Sequence, residues 1–372
     1  MQTMHLTLPV GAFDWENNPL SEDEFRSRLG ALRTVMAEHN WSGLVVFGDI
    51  PAPGLLTYVS NFAPRLRCAF ALIPISGEPR LLTLDGGRMV DAGKATTWIE
   101  DVRPAGNIVD ELQEWLNDLG ADARLGLGGF ELMPAALFKQ VSTVAGIQSG
   151  EDATTILGGL ARCKSPAELS IIRDNCGLLA KAAAACSQAH GDGASAADAV
   201  LAAERGARRA GAEDVRCLYS VDGGISFRPF EGLDHGRGDP TIIYIALRRR
   251  GYWIDGFTTT GDANAAHQTA ARVMEQVVAA IGAGKAVAKL QQAHDQAAGQ
   301  SRRHPMLAGC LGSGIGVSAE EAPRLDGGDE IFCAGDVVSV KVGLGDPVSG
   351  YGWASSLLHI GDDGTETLWM SN

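Results

Sequence analysis

The segment Lys164-Ser165-Pro166-Ala167-Glu168-Leu169 constrains the fold of this chain more than any other. A serine that can cap, a proline suited to the first helical position and a glutamate three residues after the cap together specify a helix start. A long Ala-rich run follows and continues the helix towards Ala189. Before this point, short apolar runs alternate with helical patterns; after it, helices and strands come in runs. The chain therefore reads as two domains, 1–155 and 156–372, an α/β domain followed by an α+β domain. The length of 372 residues is enough for one large core and a smaller one.

In the first part, Ser21-Glu22-Asp23-Glu24 reads as a helix start with acids in the first turn, and Phe25, Leu29, Leu32 and Met36 follow at helical spacing. Leu44-Val45-Val46-Phe47 reads as a buried strand. Ala69 to Pro74 and Arg80 to Leu84 read as strands joined by a Ser-Gly turn, Ile108 to Leu119 as a helix and Leu125-Gly126-Leu127 as a strand. Residues 1–20 read as an irregular arm. In the second part, Ala196 to Ala210 and Ala265 to Ile281 are expected helices. Thr241 to Leu247 and Trp253-Ile254-Asp255 are expected to pair around Arg249-Arg250-Gly251, with Val337 to Val342 and Ser356 to Ile360 as closing strands. The run Arg248-Arg249-Arg250 is expected to be a solvated charge run at that hairpin turn.

Composition excludes several classes of function. The formal charge of −14 argues against nonspecific nucleic-acid binding and against a polybasic membrane anchor. No stretch approaches the ~18 consecutive apolar residues of a membrane span, and Met1 to Pro9 lacks the pattern of a signal peptide. The seven cysteines are scattered, odd in number and free of any C-x-x-C spacing, which suggests reduced thiols in a cytoplasm. Gly312-Ser313-Gly314-Ile315-Gly316 has part of a phosphate-loop pattern, but acids follow where phosphate would sit. There is no G-x-S-x-G elbow and no H-E-x-x-H. Of the histidines, only His235 and His359 fall in segments suspected of function, and His359 reads as strand packing.

A family resemblance then emerges. Phe25-Arg26-Ser27-Arg28-Leu29, Gly43-Leu44-Val45-Val46, Leu55 to Phe62, Arg162 to Leu169, Gly251 to Asp255, Gly314-Ile315-Gly316-Val317 with Glu321-Ala322-Pro323, and Ala334 to Val340 resemble, in order and spacing, segments of the creatinase, aminopeptidase P and prolidase family. The resemblance implies a creatinase-like N-terminal α/β domain and an α+β pita-bread C-terminal domain, in a homodimer. The metallopeptidases of that family hold two divalent ions with two Asp, one His and two Glu, an arrangement that activates a bridging water. Carried over by position, those ligands fall on Tyr244, Asp255, Ser313, Lys341 and, for the last, near Ser355. Only Asp255 is retained, and Lys341 brings a cation with no lone pair to donate. No metal or other cofactor is therefore expected. Creatinase works without metal, using a histidine base; its position falls on Phe227, within Ser226-Phe227-Arg228, unless a loop shift brings His235 in.

These residues define the expected site. Lys341 is paired with Asp255 in place of the metal's charge, or acts as a base if burial lowers its pKa. Glu320 or His235 could also move the proton. Arg65, Arg67 or Arg228 would clamp an anionic group with the planar guanidinium fork. Phe227, Tyr244, Ser313, Glu321 and Ser355 would line the pocket. The expected function is metal-independent, creatinase-like hydrolysis of a C–N bond in a small polar molecule (amidino, amide or amino-acid-like). A catalytically silent pita-bread binding protein and a metal-dependent Xaa-Pro peptidase are the alternatives.

Overall fold

The computed structural model describes residues 18–87, 90–262 and 264–371. The arm at residues 1–20 thus lies largely outside the described residues. The chain divides into two units, Met1–Ala161 and Arg162–Asn372.

Unit 1 contains helices α1 (Glu22–Glu38), α2 (Gly54–Ser60), α3 (Val90–Lys94), α4 (Ile108–Leu119), α5 (Ala135–Val141), α6 (Ala145–Gln148) and α7 (Thr154–Arg162). Its strands are β1 (Gly43–Asp49), β2 (Cys68–Pro74), β3 (Arg80–Thr83), β4 (Asp101–Pro104), β5 (Leu125–Gly128) and β6 (Glu151–Asp152). They form one mixed sheet in the order β4-β3-β2-β1-β5-β6. Ser21 caps α1 by accepting from the Glu24 N–H at 3.4 Å. Helix α4 buries Leu112, Trp115 and Leu116, one stripe of its surface, against Phe47, Phe70 and their neighbours on the sheet.

The division comes six residues after the expected one, between Ala161 and Arg162. The reason lies in α7. Its Leu157 fills the space over Gly128 of β5, and its Leu160 carbonyl accepts from the Tyr58 hydroxyl at 3.3 Å. Most of the helix is thereby built into unit 1.

Unit 2 opens with α8 (Pro166–Gly191) and α9 (Ala196–Arg209). The capping box at the start of α8 is complete: Ser165 Oγ accepts from the Glu168 N–H, and Glu168 accepts from the Ser165 N–H at 2.9 Å. The other Glu168 oxygen accepts from the Tyr252 hydroxyl at 2.8 Å. Strands β7 (Asp214–Ser220), β8 (Arg228–Pro229), β9 (Thr241–Arg249) and β10 (Tyr252–Thr260) form a sheet ordered β10-β9-β7-β8. After α10 (Ala265–Ala280) and α11 (Val287–Ala298), strands β11 (Arg302–Arg303), β12 (Gly312–Gly314), β13 (Glu321–Arg324), β14 (Val337–Asp346), β15 (Gly350–Gly361) and β16 (Gly364–Met370) form the second sheet. Its order is β13-β12-β14-β15-β16, with β11 on β14. Helices α10 and α11 cover one face, where Val273, Val277 and Leu290 join Val338, Val340 and Val342.

The β9–β10 hairpin turns at Arg250 and Gly251, both with positive φ (53° and 79°), and Arg249 pairs with Tyr252. Two left-handed central residues make the tight turn whose twist suits a hairpin. Arg248 is not part of a solvated run. It is 7% exposed, lies 3.7 Å from Glu213 and places its guanidinium 5.3 Å from the Trp253 ring. Burial pushes its pKa down. Strands β14 and β15 extend beyond the expected Val337–Val342 and Ser356–Ile360. The extra length is rich in glycine, which weakens a strand unless something packs close to it. Here the Trp353 ring lies over Gly343, so close that a Cβ would meet it at 3.0 Å.

Candidate active site

Strand register brings the site together. In the β9–β10 ladder Asp255 pairs with Ala246 and Phe257 with Tyr244, so Tyr244 and Asp255 are diagonal neighbours on one face. In the second sheet Ser313 pairs with Ser339 and Lys341 with Ser355. Side chains alternate along a strand. Because Val338, Val340 and Val342 belong to the helix-covered core, Ser339 and Lys341 face the other way, towards Asp255.

The Asp255 carboxylate is the centre of the cluster. Its Oδ2 accepts from the Tyr244 hydroxyl at 2.6 Å and lies 2.8 Å from Lys341 Nζ. Its Oδ1 accepts from Ser339 Oγ at 2.5 Å. Lys341 Nζ also donates to Ser339 Oγ at 3.1 Å, which closes a ring of three side chains, Asp255, Lys341 and Ser339, with Tyr244 attached at Asp255. The Asp255 and Lys341 side chains are 5% and 17% exposed. An ionised carboxylate accepts every one of these bonds and an ammonium donates its own, so the geometry suits the charged pair. Burial, and then the Asp255 charge, push the Tyr244 phenol well above its usual range and keep it a neutral donor. Lys341 has three N–H donors. Two meet Asp255 and Ser339, which leaves one for a ligand.

A cavity of about 400 Å³ opens over this cluster. Asp255, Lys341, Ser313, Glu320 and Arg324 make its polar side. Phe227, Phe257, Trp353, Leu218 and Leu307 make its apolar side. Glu320 and Arg324 stand 3.8 Å apart with side chains 77% and 63% exposed.

The structure thus gathers six of the expected site residues at one cavity: Lys341, Asp255, Glu320, Phe227, Tyr244 and Ser313. Others lie elsewhere. Ser355 turns to β10, where its Oγ accepts from the Phe257 N–H at 2.7 Å. Glu321 is held by Lys164 at 2.6 Å, in an ion pair whose side chains are 0% and 10% exposed, and accepts from the Ser318 N–H. It fixes the loop that carries Glu320 but does not line the cavity. His235 and Arg228 meet each other, Nδ1 to guanidinium, at 3.1 Å. Arg228 pairs with Tyr219 on β7, and the His235 ring lies 6.3 Å from the Tyr219 ring. Leu218 lines the cavity, so Tyr219 points to the opposite face of the strand, and His235 is on that side. The loop shift that would bring His235 to the cavity is absent. Arg65 and Arg67 belong to unit 1, where their backbone N–H groups donate to Asp85 at 2.8 and 2.7 Å. His359 packs in β15, 3.5 Å from Glu366.

Three contributors were missed from the sequence. Ser339 was legible, being two residues before Lys341 on a strand and hence on its face. Arg324 and His304 carried no such signal. His304 Nδ1 accepts from the Met306 N–H at 3.1 Å, so Nε2 carries the proton and donates to the Ile225 carbonyl at 3.0 Å. Its ring packs 4.7 Å from that of Trp353, behind the apolar wall.

Comparison with known proteins bears on this architecture. Residues 28–157 match the model of the creatinase/prolidase N-terminal domain. No curated protein sequence matches the chain. Among solved structures, the prolidase from Pyrococcus horikoshii OT3 superposes with a TM-score of 0.77 at 17% identity, over 92% of this chain and 97% of that one. The X-Pro aminopeptidase from Thermotoga maritima MSB8 gives 0.76 at 18% identity, over 91% and 96%. The N-terminal domain of the FACT complex subunit SPT16 from chickpea gives 0.66 at 13% identity, over 95% and 96%. Residues 28–157 thus match a creatinase/prolidase N-terminal domain, and the chain as a whole has the fold of the prolidases, an α/β domain followed by a pita-bread domain.

Proposed function

We propose that unit 2 is a metal-independent hydrolytic site for a C–N bond in an amide-, amidino- or amino-acid-like substrate. The observation that carries this reading is the ammonium of Lys341, 2.8 Å from the Asp255 carboxylate on the cavity wall. The fold family implies a pair of divalent ions, and this donor set does not fit them. At the cluster it offers one carboxylate, already accepting from Tyr244, Ser339 and Lys341, and the cavity's other carboxylate, Glu320, stands exposed at the rim beside Arg324. Two adjacent dications need several anionic oxygens, and an ammonium at this distance repels them. Among the described residues no group of three or more His, Cys, Asp or Glu side chains could hold a metal ion.

In this reading Lys341 acts as a fixed positive charge rather than as a base. Its third N–H meets the carbonyl oxygen, or the amidino nitrogen, as negative charge develops there. Asp255 holds it in place, and Tyr244 and Ser339 hold Asp255. Glu320, at the rim, takes a proton from the attacking water and returns it to the leaving nitrogen. Arg324 binds an anionic end of the substrate. A homodimer in a reducing compartment belongs to the same reading; all seven cysteines are free thiols, which fits the second part. Among the described residues no helix is long and apolar enough to cross a membrane.

The test uses chelator-treated protein and a panel of dipeptides, N-acyl amino acids, amino-acid amides and guanidino acids, with release of amine as the readout. Turnover that survives the chelator and falls at least a hundredfold in Lys341→Met and Glu320→Gln supports the proposal. Turnover that requires added manganese, cobalt or zinc overturns it. A second reading, a silent binding module, is favoured by the high exposure of Glu320 and by the aromatic filling at Phe227 and Tyr244. Tight binding of a panel member with no release of amine selects it.

A further inference from the structure

The cavity is not matched to a small, wholly polar molecule. At about 400 Å³ it falls within the range of sites that enclose drug-sized ligands. Its apolar side is a rigid construction. The rings of Phe257 and Trp353 stack at 4.5 Å, and Phe227 meets Trp353 edge-on at 5.0 Å and Phe257 at 5.5 Å. The chain leading to Phe227 is pinned at two points behind this wall: Trp353 Nε1 donates to the Gly224 carbonyl at 3.1 Å and His304 Nε2 to that of Ile225 at 3.0 Å. Trp353 and Phe257 are buried, whereas Phe227, Leu218 and Tyr244 are only half-buried and keep free faces towards the cavity. Met306, also on the lining, is 57% exposed.

A preorganised aromatic wall beside a single free ammonium donor, both lining one cavity, has a chemical complement. We infer that the substrate carries an aromatic ring, one carbonyl and one carboxylate, as in an N-acyl aromatic amino acid. The ring lies against Phe227 and Leu218 in an offset or edge-on contact. The carbonyl meets Lys341, and the carboxylate meets Arg324 at the rim. The inference deepens the proposed hydrolysis and rests on it for the word substrate; the ring slot itself rests only on the wall.

Binding separates the two. N-acetyl-L-phenylalanine and N-acetylglycine, which differ by the benzyl group, are titrated calorimetrically into the full-length wild-type protein. Amine release is followed separately. The expected result is at least tenfold tighter binding of N-acetyl-L-phenylalanine. Leu218→Trp fills the slot and is expected to abolish that preference, so that the two compounds bind within twofold of each other. Phe227→Ala serves as a second variant, expected to reduce the preference at least fivefold; circular dichroism checks that each variant is folded. Equal affinities, failure of both compounds to bind at millimolar concentration, or a preference unchanged in a folded Leu218→Trp protein overturns the inference. Preferential binding without amine release keeps the ring slot and overturns the hydrolytic reading alone.

Discussion

Removing the Lys341 ammonium exposes the energetics of the site. Lys341→Met keeps most of the side-chain volume and deletes the charge. At 2.8 Å the Coulomb attraction is about 6 kcal/mol for an effective dielectric of about 20. Most of that offsets the cost of desolvating the two ions. The measurable loss comes from leaving Asp255 buried without its counter-charge, about 3–5 kcal/mol for pairs of this kind. Tyr244 and Ser339 continue to donate to Asp255, so the lower end applies, about 3 kcal/mol. For a unit of this size that is a fall in Tm of roughly 6–12 °C. Asp255→Asn in the Lys341→Met background removes both charges, and the double variant should recover to within about 1 kcal/mol of wild type. Urea unfolding of the four proteins closes the cycle, with an expected coupling of at least about 2 kcal/mol. A Lys341→Met protein within about 0.5 kcal/mol of wild type, or additive single effects, would refute the idea of a buried pair.

Further predictions follow from other groups. Tyr244, raised by burial and by Asp255, stays protonated while exposed tyrosines ionise. Its unfolded form titrates near pH 10 and its folded form higher, so it adds a loss of stability as pH rises above about 10. Tyr244→Phe should abolish that part of the alkaline decline, read by urea unfolding from pH 9 to 11. Arg162 grips the fully buried Asp336 through two bonds of 2.6 and 2.7 Å. Arg162→Met should cost about 3–5 kcal/mol in urea unfolding. Burial pushes the thiols of Cys176, Cys186 and Cys217 up to about 12 and that of Cys68 up to about 11. A thiol reagent at pH 8 should therefore label the exposed Cys163 and Cys333 first and reach those four only on unfolding, as mass spectrometry would show.

What could be read from the sequence was what strand and helix chemistry makes local. The capping box at Ser165 and Glu168 is complete, and the helix at Ile108–Leu119 has the expected ends. The position of Lys341 between two core valines told which way it points. The glycine-rich ends of β14 and β15 were not legible, because their strand character comes from the Trp353 ring, ten residues away across the ladder at Gly343. Arg248 looked solvated because a charge run says nothing of the Trp253 ring and Glu213 carboxylate that bury it. The roles of His304 and Arg324 depend on which loops meet at the cavity, and a single chain read end to end does not show that.

The central claim is that the positive charge at this cavity resides on Lys341 and not on a divalent ion. A crystal structure of the protein soaked in manganese, with anomalous data at the manganese edge, tests it most directly. The account predicts Lys341 Nζ within hydrogen-bond distance of Asp255 and no anomalous peak beside that carboxylate. A manganese ion bound to Asp255, with the lysine swung away, would contradict it.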